Sequence, residues 1–164
     1  MTKKIWYEMV DMKYGELYLS KYVGFQHRLK KTFKIITLVL SLTGIFGWKY
    51  FEDYVLLILI IICVIQLISL IGNQIIRTDK EVEEISALKM MYTRYFNNLE
   101  RLWDELQSKR KTDNEAIDTF YQLRTSAWEP IDELDCKLDI KRYKWLMSRT
   151  EEETQNYLNK YHIQ

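Results

Sequence analysis

Proline is nearly absent from this chain and glycine is scarce. One proline, Pro130, and five glycines stand in 164 residues. So few breakers argue against short strands and tight turns, and the expected class is all-α. Histidine is as rare: His27 and His162 are the only two. Neither has a ligand-type residue paired with it, which excludes zinc spacing. The two cysteines lie in opposite surroundings, Cys63 in an apolar run and Cys136 in a charged segment. A disulfide between them is not expected, and a reduced cytoplasmic setting fits best. Charge of one sign is also lacking. A formal net charge of +1 gives no global field toward nucleic acid or lipid, so an electrostatic partner must be met by a local patch.

Catalytic machinery is missing too. The sequence holds no Gly-rich phosphate loop, nucleophile elbow or metal-binding His/Glu pair. Acidic runs such as Asp132-Glu133 and Glu151-Glu152-Glu153 occupy helix-start positions, where they favour the N-terminal dipole. No catalytic residue, metal or cofactor is therefore expected, and the chain does not read as an enzyme.

What is present is a concentrated apolar block. Mean hydropathy is −0.29, but that value averages charged flanks with one oily segment. From Tyr54 to Gly72 the run YVLLILIIICVIQLISLIG carries no charge over 19 residues. As a helix it would be about 28 Å long, close to the ~30 Å hydrocarbon core of a bilayer. The preceding charge-free run, IITLVLSLTGIFGW between Lys34 and Lys49, has 14 residues. Phe33 and Tyr50-Phe51 extend it, and the stems of Lys34 and Lys49 can snorkel. Trp48, Tyr50, Phe51 and Tyr54 cluster at the short connection, as an interfacial aromatic belt does. The expected architecture is a two-helix transmembrane hairpin over 33–72, with spans 33–51 and 54–72. A cleaved leader is the competing reading. It is disfavoured by the polar and aromatic residues before the run and by the lack of a small-residue cleavage site after it.

Lys and Arg set the orientation. Eight precede the first span, Lys49 alone lies in the turn and fifteen follow the second span, so both termini are expected in the cytoplasm. Residues 1–32 then form an amphipathic cytoplasmic helix with stripes Tyr7, Val10, Tyr14, Leu17 and Tyr18, Tyr22, Phe25, Leu29. Arg28, Lys30, Lys31 and Lys34 would sit at the headgroups. Residues 73–164 form a helical, coiled-coil-like cytoplasmic domain. Its first helix carries a heptad seam, Ile85, Leu88, Tyr92, Tyr95, Leu99, Leu102 and Leu106. The seam's partner is either the N-terminal helix of the same chain or a neighbour's identical helix. Thr112 with Glu115 predicts a capping box. Glu129-Pro130 predicts a break, after which a further helix holds Ile131, Leu134, Leu138, Trp145 and Leu146. Thr150 with Glu153 predicts a last short helix. Lys141, Arg142 and Lys144, beside Tyr143 and Trp145, form a basic patch: a solvated face or a site for a nucleotide, nucleic acid or acidic partner.

Polar residues recur inside the spans. Cys63, Gln66, Ser69 and Asn73 share one face of the second, and Thr37, Ser41, Gly44 and Trp48 share one face of the first. Such stripes either glue membrane helices together or line an aqueous pore. Two helices cannot enclose a channel, so a pore would need a homo-oligomer of roughly four or more chains.

The hairpin FKIITLVLSLTGIFGWKYFEDYVLLILIIICVIQLISLIG, the soluble helix before it and the heptad-bearing helix after it resemble the SLATT family of two-transmembrane effectors. That family is associated with bacterial nucleotide-signalling and antiphage systems. The resemblance implies a multi-pass effector of the bacterial inner membrane. It would oligomerise, open a pore or channel and disrupt the membrane when activated, in an abortive response to infection. It also implies a regulatory partner, or a nucleotide or nucleic-acid signal, from a neighbouring gene product. The alternative is a membrane-anchored adaptor that recruits a soluble partner through its cytoplasmic helices. The segment RTSAWEPIDELD, 124–135, stands out without an assigned role.

Overall fold

The computed structural model describes the backbone of residues 2–50, 56–57, 59–64, 66 and 76–161, and the side chains of these except 40–50. Among the described residues every regular element is α-helical. The principal helices are α1 (Thr2–Tyr50), α2 (Asp79–Gln107), α3 (Asp113–Leu138) and α4 (Lys144–Tyr161). Residues 59–64 are helical as well. The chain divides into two compact units, one of Met1–Val23 with Glu83–Gln164 and one of Gly24–Val82.

The first unit is built on the predicted seam. Ile85, Leu88, Tyr95, Leu99 and Leu102 of α2 are buried, and Tyr92 and Leu106 are partly so. They share one cluster with Ile5, Met9, Met12, Leu19 and Tyr22 of α1. The alternative left open by the heptads is thus resolved inside the chain. The seam's apolar side chains are taken up in a core shared by α1, α3 and α4, each fully buried Leu or Ile contributing roughly 1.5–3 kcal/mol. The stripe on α1 differs from the expected one. Tyr7 is 65% exposed, while Ile5 and Met9 are fully buried. Both phases have helical spacing, and only the partner's position selects between them.

Two helix boundaries also differ from expectation. α3 runs through Pro130 without a break. Its inward stripe, Phe120, Leu123, Ala127, Ile131, Leu134 and Leu138, continues across the proline at spacings of three and four, and Pro130 itself faces outward. Burial on both sides of the ring offsets the missing N–H. The break comes instead at Asp139, a left-handed C-cap with φ 41° and ψ 62° whose N–H bonds the Asp135 carbonyl 3.1 Å away. Trp145 and Leu146 therefore belong to α4. That helix starts at Lys144, and Thr150, expected at its N-cap, is an interior residue whose hydroxyl donates to the Leu146 carbonyl at 2.7 Å. The capping box at Thr112 and Glu115 is present as predicted.

The second unit is tied by polar contacts. Gln26 is fully buried, and its Oε1 accepts from the Arg77 N–H at 3.2 Å. Lys30 pairs with Asp79 at 2.5 Å, and Arg77 pairs with Glu81 at 2.9 Å. Thr78 and Glu81 form a second reciprocal cap, at 2.8 and 3.2 Å. These ties join 24–32 with 76–82, so the compact division falls at 23/24 and 82/83, whereas the sequence places its boundaries at the edges of the apolar runs.

Among the described residues no helix is long and apolar enough to cross a membrane. The two-span hairpin is accordingly not supported as such. Of the spans 33–51 and 54–72, the side chains of 40–50 and all of 51–55, 58, 65 and 67–72 lie outside the described residues. What remains is apolar over stretches much shorter than the roughly 20 residues a span needs.

Candidate functional site

Tyr18 organises the connection between α3 and α4. Its hydroxyl donates to the Lys141 carbonyl at 2.8 Å and accepts from the Tyr143 N–H at 3.0 Å. One side chain of α1 thereby satisfies one carbonyl and one N–H of the linker between α3 and α4. The Tyr143 carbonyl in turn accepts the first N–H groups of α4. Tyr14, Tyr18, Tyr22 and Tyr143 form a stacked series, with centroids 6.4, 6.2 and 6.2 Å apart along it. The spacing of four along α1 puts the three helical rings on one face.

Beside this series lies a half-open cavity of about 580 Å³. Tyr14, Tyr18 and Tyr92 give it aromatic walls, and Met12, Leu19 and Met147 give it an apolar floor. Its rim is charged. Asp11 comes from α1, Asp135 from α3, and Asp139 and Arg142 from the linker. Three carboxylates and one guanidinium therefore line it. The field is felt by the tyrosines. Burial pushes the Tyr92 hydroxyl up to about 12, with the Asp135 carboxylate adding to the rise and Arg142 opposing it. Burial also raises Tyr14, again against Arg142. Both phenols stay neutral donors at physiological pH. The volume falls within the range of small-ligand sites, roughly 300–1,000 Å³. Among the described residues no group of acidic, His or Cys side chains is placed to hold a metal ion.

The residues singled out in the sequence are distributed as follows. Of the basic trio, Arg142 enters the cavity and the other two do not line it. Lys141 lies over the Tyr143 ring at 5.8 Å, and Lys144 is exposed at the start of α4. All three are exposed, and only Arg142 lines the cavity. Of the span stripes, Thr37 is exposed and its hydroxyl donates to the Phe33 carbonyl at 2.9 Å. Bonded within its own helix, it needs no polar neighbour. Cys63 and Gln66 are exposed. The side chains of Ser41, Gly44 and Trp48, and all of Ser69 and Asn73, lie outside the described residues. The acidic rim was not anticipated. Asp135 does close the distinctive segment 124–135, and the recurrence of tyrosine at 14, 18 and 22 was the available sign of an aromatic wall.

No family model matches the chain, and no curated protein or solved structure does either.

Proposed function

We propose that this chain is a membrane effector whose residues 33–72 lie in the bilayer as a two-helix hairpin with both termini in the cytoplasm. The observation that supports it is the exposure of aliphatic side chains in the second unit. Ile35, Ile36, Leu38 and Val39 are 42–62% exposed, and Leu56, Leu57, Leu59, Ile60, Ile61 and Val64 are 39–74% exposed. Successive helical positions are roughly 100° apart, so residues 35, 36, 38 and 39 together cover an arc of about 160°. A helix on a water-soluble core hides one side. Aliphatic groups exposed over so broad a face are at rest in lipid, where their transfer from water is worth about 25 cal/mol per Å². The charge-free run of 54–72 and the SLATT-like arrangement of the whole chain support the same reading.

In this proposal several copies assemble through the spans, because the seam of α2 is already filled within the chain by α1, α3 and α4. Gln66 is the residue most costly to leave facing acyl chains, so it turns toward protein or water on assembly. The chain conducts or perforates when activated, and the first unit carries the controlling contacts. Induced expression in bacteria, followed with a potential-sensitive dye, tests this. Wild type should depolarise the cells, and Gln66→Leu should weaken depolarisation while leaving the protein in the alkali-resistant membrane fraction. Recovery of the wild-type chain in the soluble fraction overturns the reading. Undiminished depolarisation by Gln66→Leu overturns the role of the polar stripe.

A further inference from the structure

The cavity of the first unit has a chemistry that selects its ligand. It goes beyond the membrane reading, which concerns residues 33–72. We infer that the cavity binds a linear aliphatic polyamine, a methylene chain carrying two or more ammonium groups. Charge excludes the opposite class. Asp11, Asp135 and Asp139 outnumber Arg142 three to one on the rim, so a nucleotide phosphate would meet net repulsion. Shape and surface then choose among cations. The carboxylates come from α1, α3 and the linker and do not converge as a metal site. Separated anions suit a ligand whose positive charges are themselves separated. Tyr14 and Tyr92 line the same cavity, and aromatic rings accept methylene groups by apolar contact and ammonium groups through the ring quadrupole. The two phenol hydroxyls add neutral partners at the same wall. A cavity of about 580 Å³ has room for such a chain together with water. A ligand there would bridge α1 to the α3–α4 linker, a connection that the Tyr18 hydroxyl also clasps.

Calorimetric titration of the full chain in detergent with spermidine tests the inference, with magnesium chloride and ATP titrated in parallel. Saturable binding of one spermidine per chain is expected, with ATP giving none and magnesium at most a weak, non-saturating response. Asp11→Asn and Asp135→Asn should each weaken spermidine about three- to tenfold, as expected for one partly solvated charge pair. Glu129→Gln, outside the cavity, should leave affinity unchanged. The Asn variants are near-isosteric, and their unliganded melting temperatures report whether the fold is intact. Absence of saturable spermidine binding, tighter binding of ATP, or equal weakening by Glu129→Gln and the cavity variants would each overturn the assignment.

Discussion

The ring of Tyr92 fills the space that a side chain at position 15 would need. A Cβ built on Gly15 would stand 2.4 Å from Cε1 and 2.6 Å from Cδ1 of Tyr92. A glycine inside a long helix costs roughly 0.5–1 kcal/mol relative to alanine, and here the close approach of α1 to α2 accounts for it. Gly15→Ala should therefore destabilise the first unit by about 1–3 kcal/mol despite its gain in helix propensity. Pairing it with Tyr92→Leu should recover part of the loss. Denaturant unfolding of the two variants in detergent measures both.

Pro130 faces outward from the middle of α3. An interior proline costs about 3 kcal/mol through its lost bond and its clash, partly offset by its restriction of the unfolded chain. Pro130→Ala should raise stability by about 1–2 kcal/mol, seen as a higher melting temperature. A lower one would mean that α3 needs the shape the proline imposes.

Lys109 ends α2 in the left-handed region, at φ 56°. The Arg110 N–H reaches the Glu105 carbonyl at 2.9 Å, and the Lys109 N–H reaches the Leu106 carbonyl at 3.1 Å. That is a Schellman closure with lysine where glycine is the usual residue. Lys109→Gly should stabilise by about 0.5–1 kcal/mol, because the Cβ penalty disappears. Circular dichroism melts suffice to check it.

Acid should weaken both capping boxes. Backbone hydrogen bonds from Thr78 and Thr112 are the first cause holding Glu81 and Glu115, respectively, below the ordinary value of 4.5. A carboxylate depressed in the folded state gives stability that is complete above its unfolded pKa and lost as pH falls through the folded one. Stability should be flat above pH 5 or so and decline below about 4.5. In melts across that range, the decline should be shallower for a Glu81→Gln, Glu115→Gln double variant.

Legibility in the sequence followed the range of the interaction. Thr112 with Glu115 is a local signature and was readable. Thr78 with Glu81 has the same pattern, close behind the apolar run. Thr150 with Glu153 also has it, and there it misled. The cap of α4 belongs to Tyr143, which is held by Tyr18, 125 positions away in the chain. The seam from Ile85 to Leu106 was visible as a heptad, but its partner stripe on α1 was not, since Tyr7 and Ile5 fit helical periods equally well. The cavity was the least legible feature. Asp11, Asp135 and Arg142 share no local pattern and meet only through the packing of three segments. Lys141-Arg142-Lys144 looks basic in one dimension, while Asp11 and Asp135, which line the same cavity as Arg142, come from other helices.

The account rests most heavily on the bilayer as the resting place of residues 33–72, and the two native cysteines can test it. Cys63 lies in the apolar run and Cys136 in the first unit, and both are exposed on the chain itself. Inside-out membrane vesicles treated with a membrane-impermeant maleimide should label Cys136 and leave Cys63 untouched until detergent is added. Equal labelling of Cys63 in a Cys136→Ser variant, in intact vesicles, would place the run in water and contradict the account.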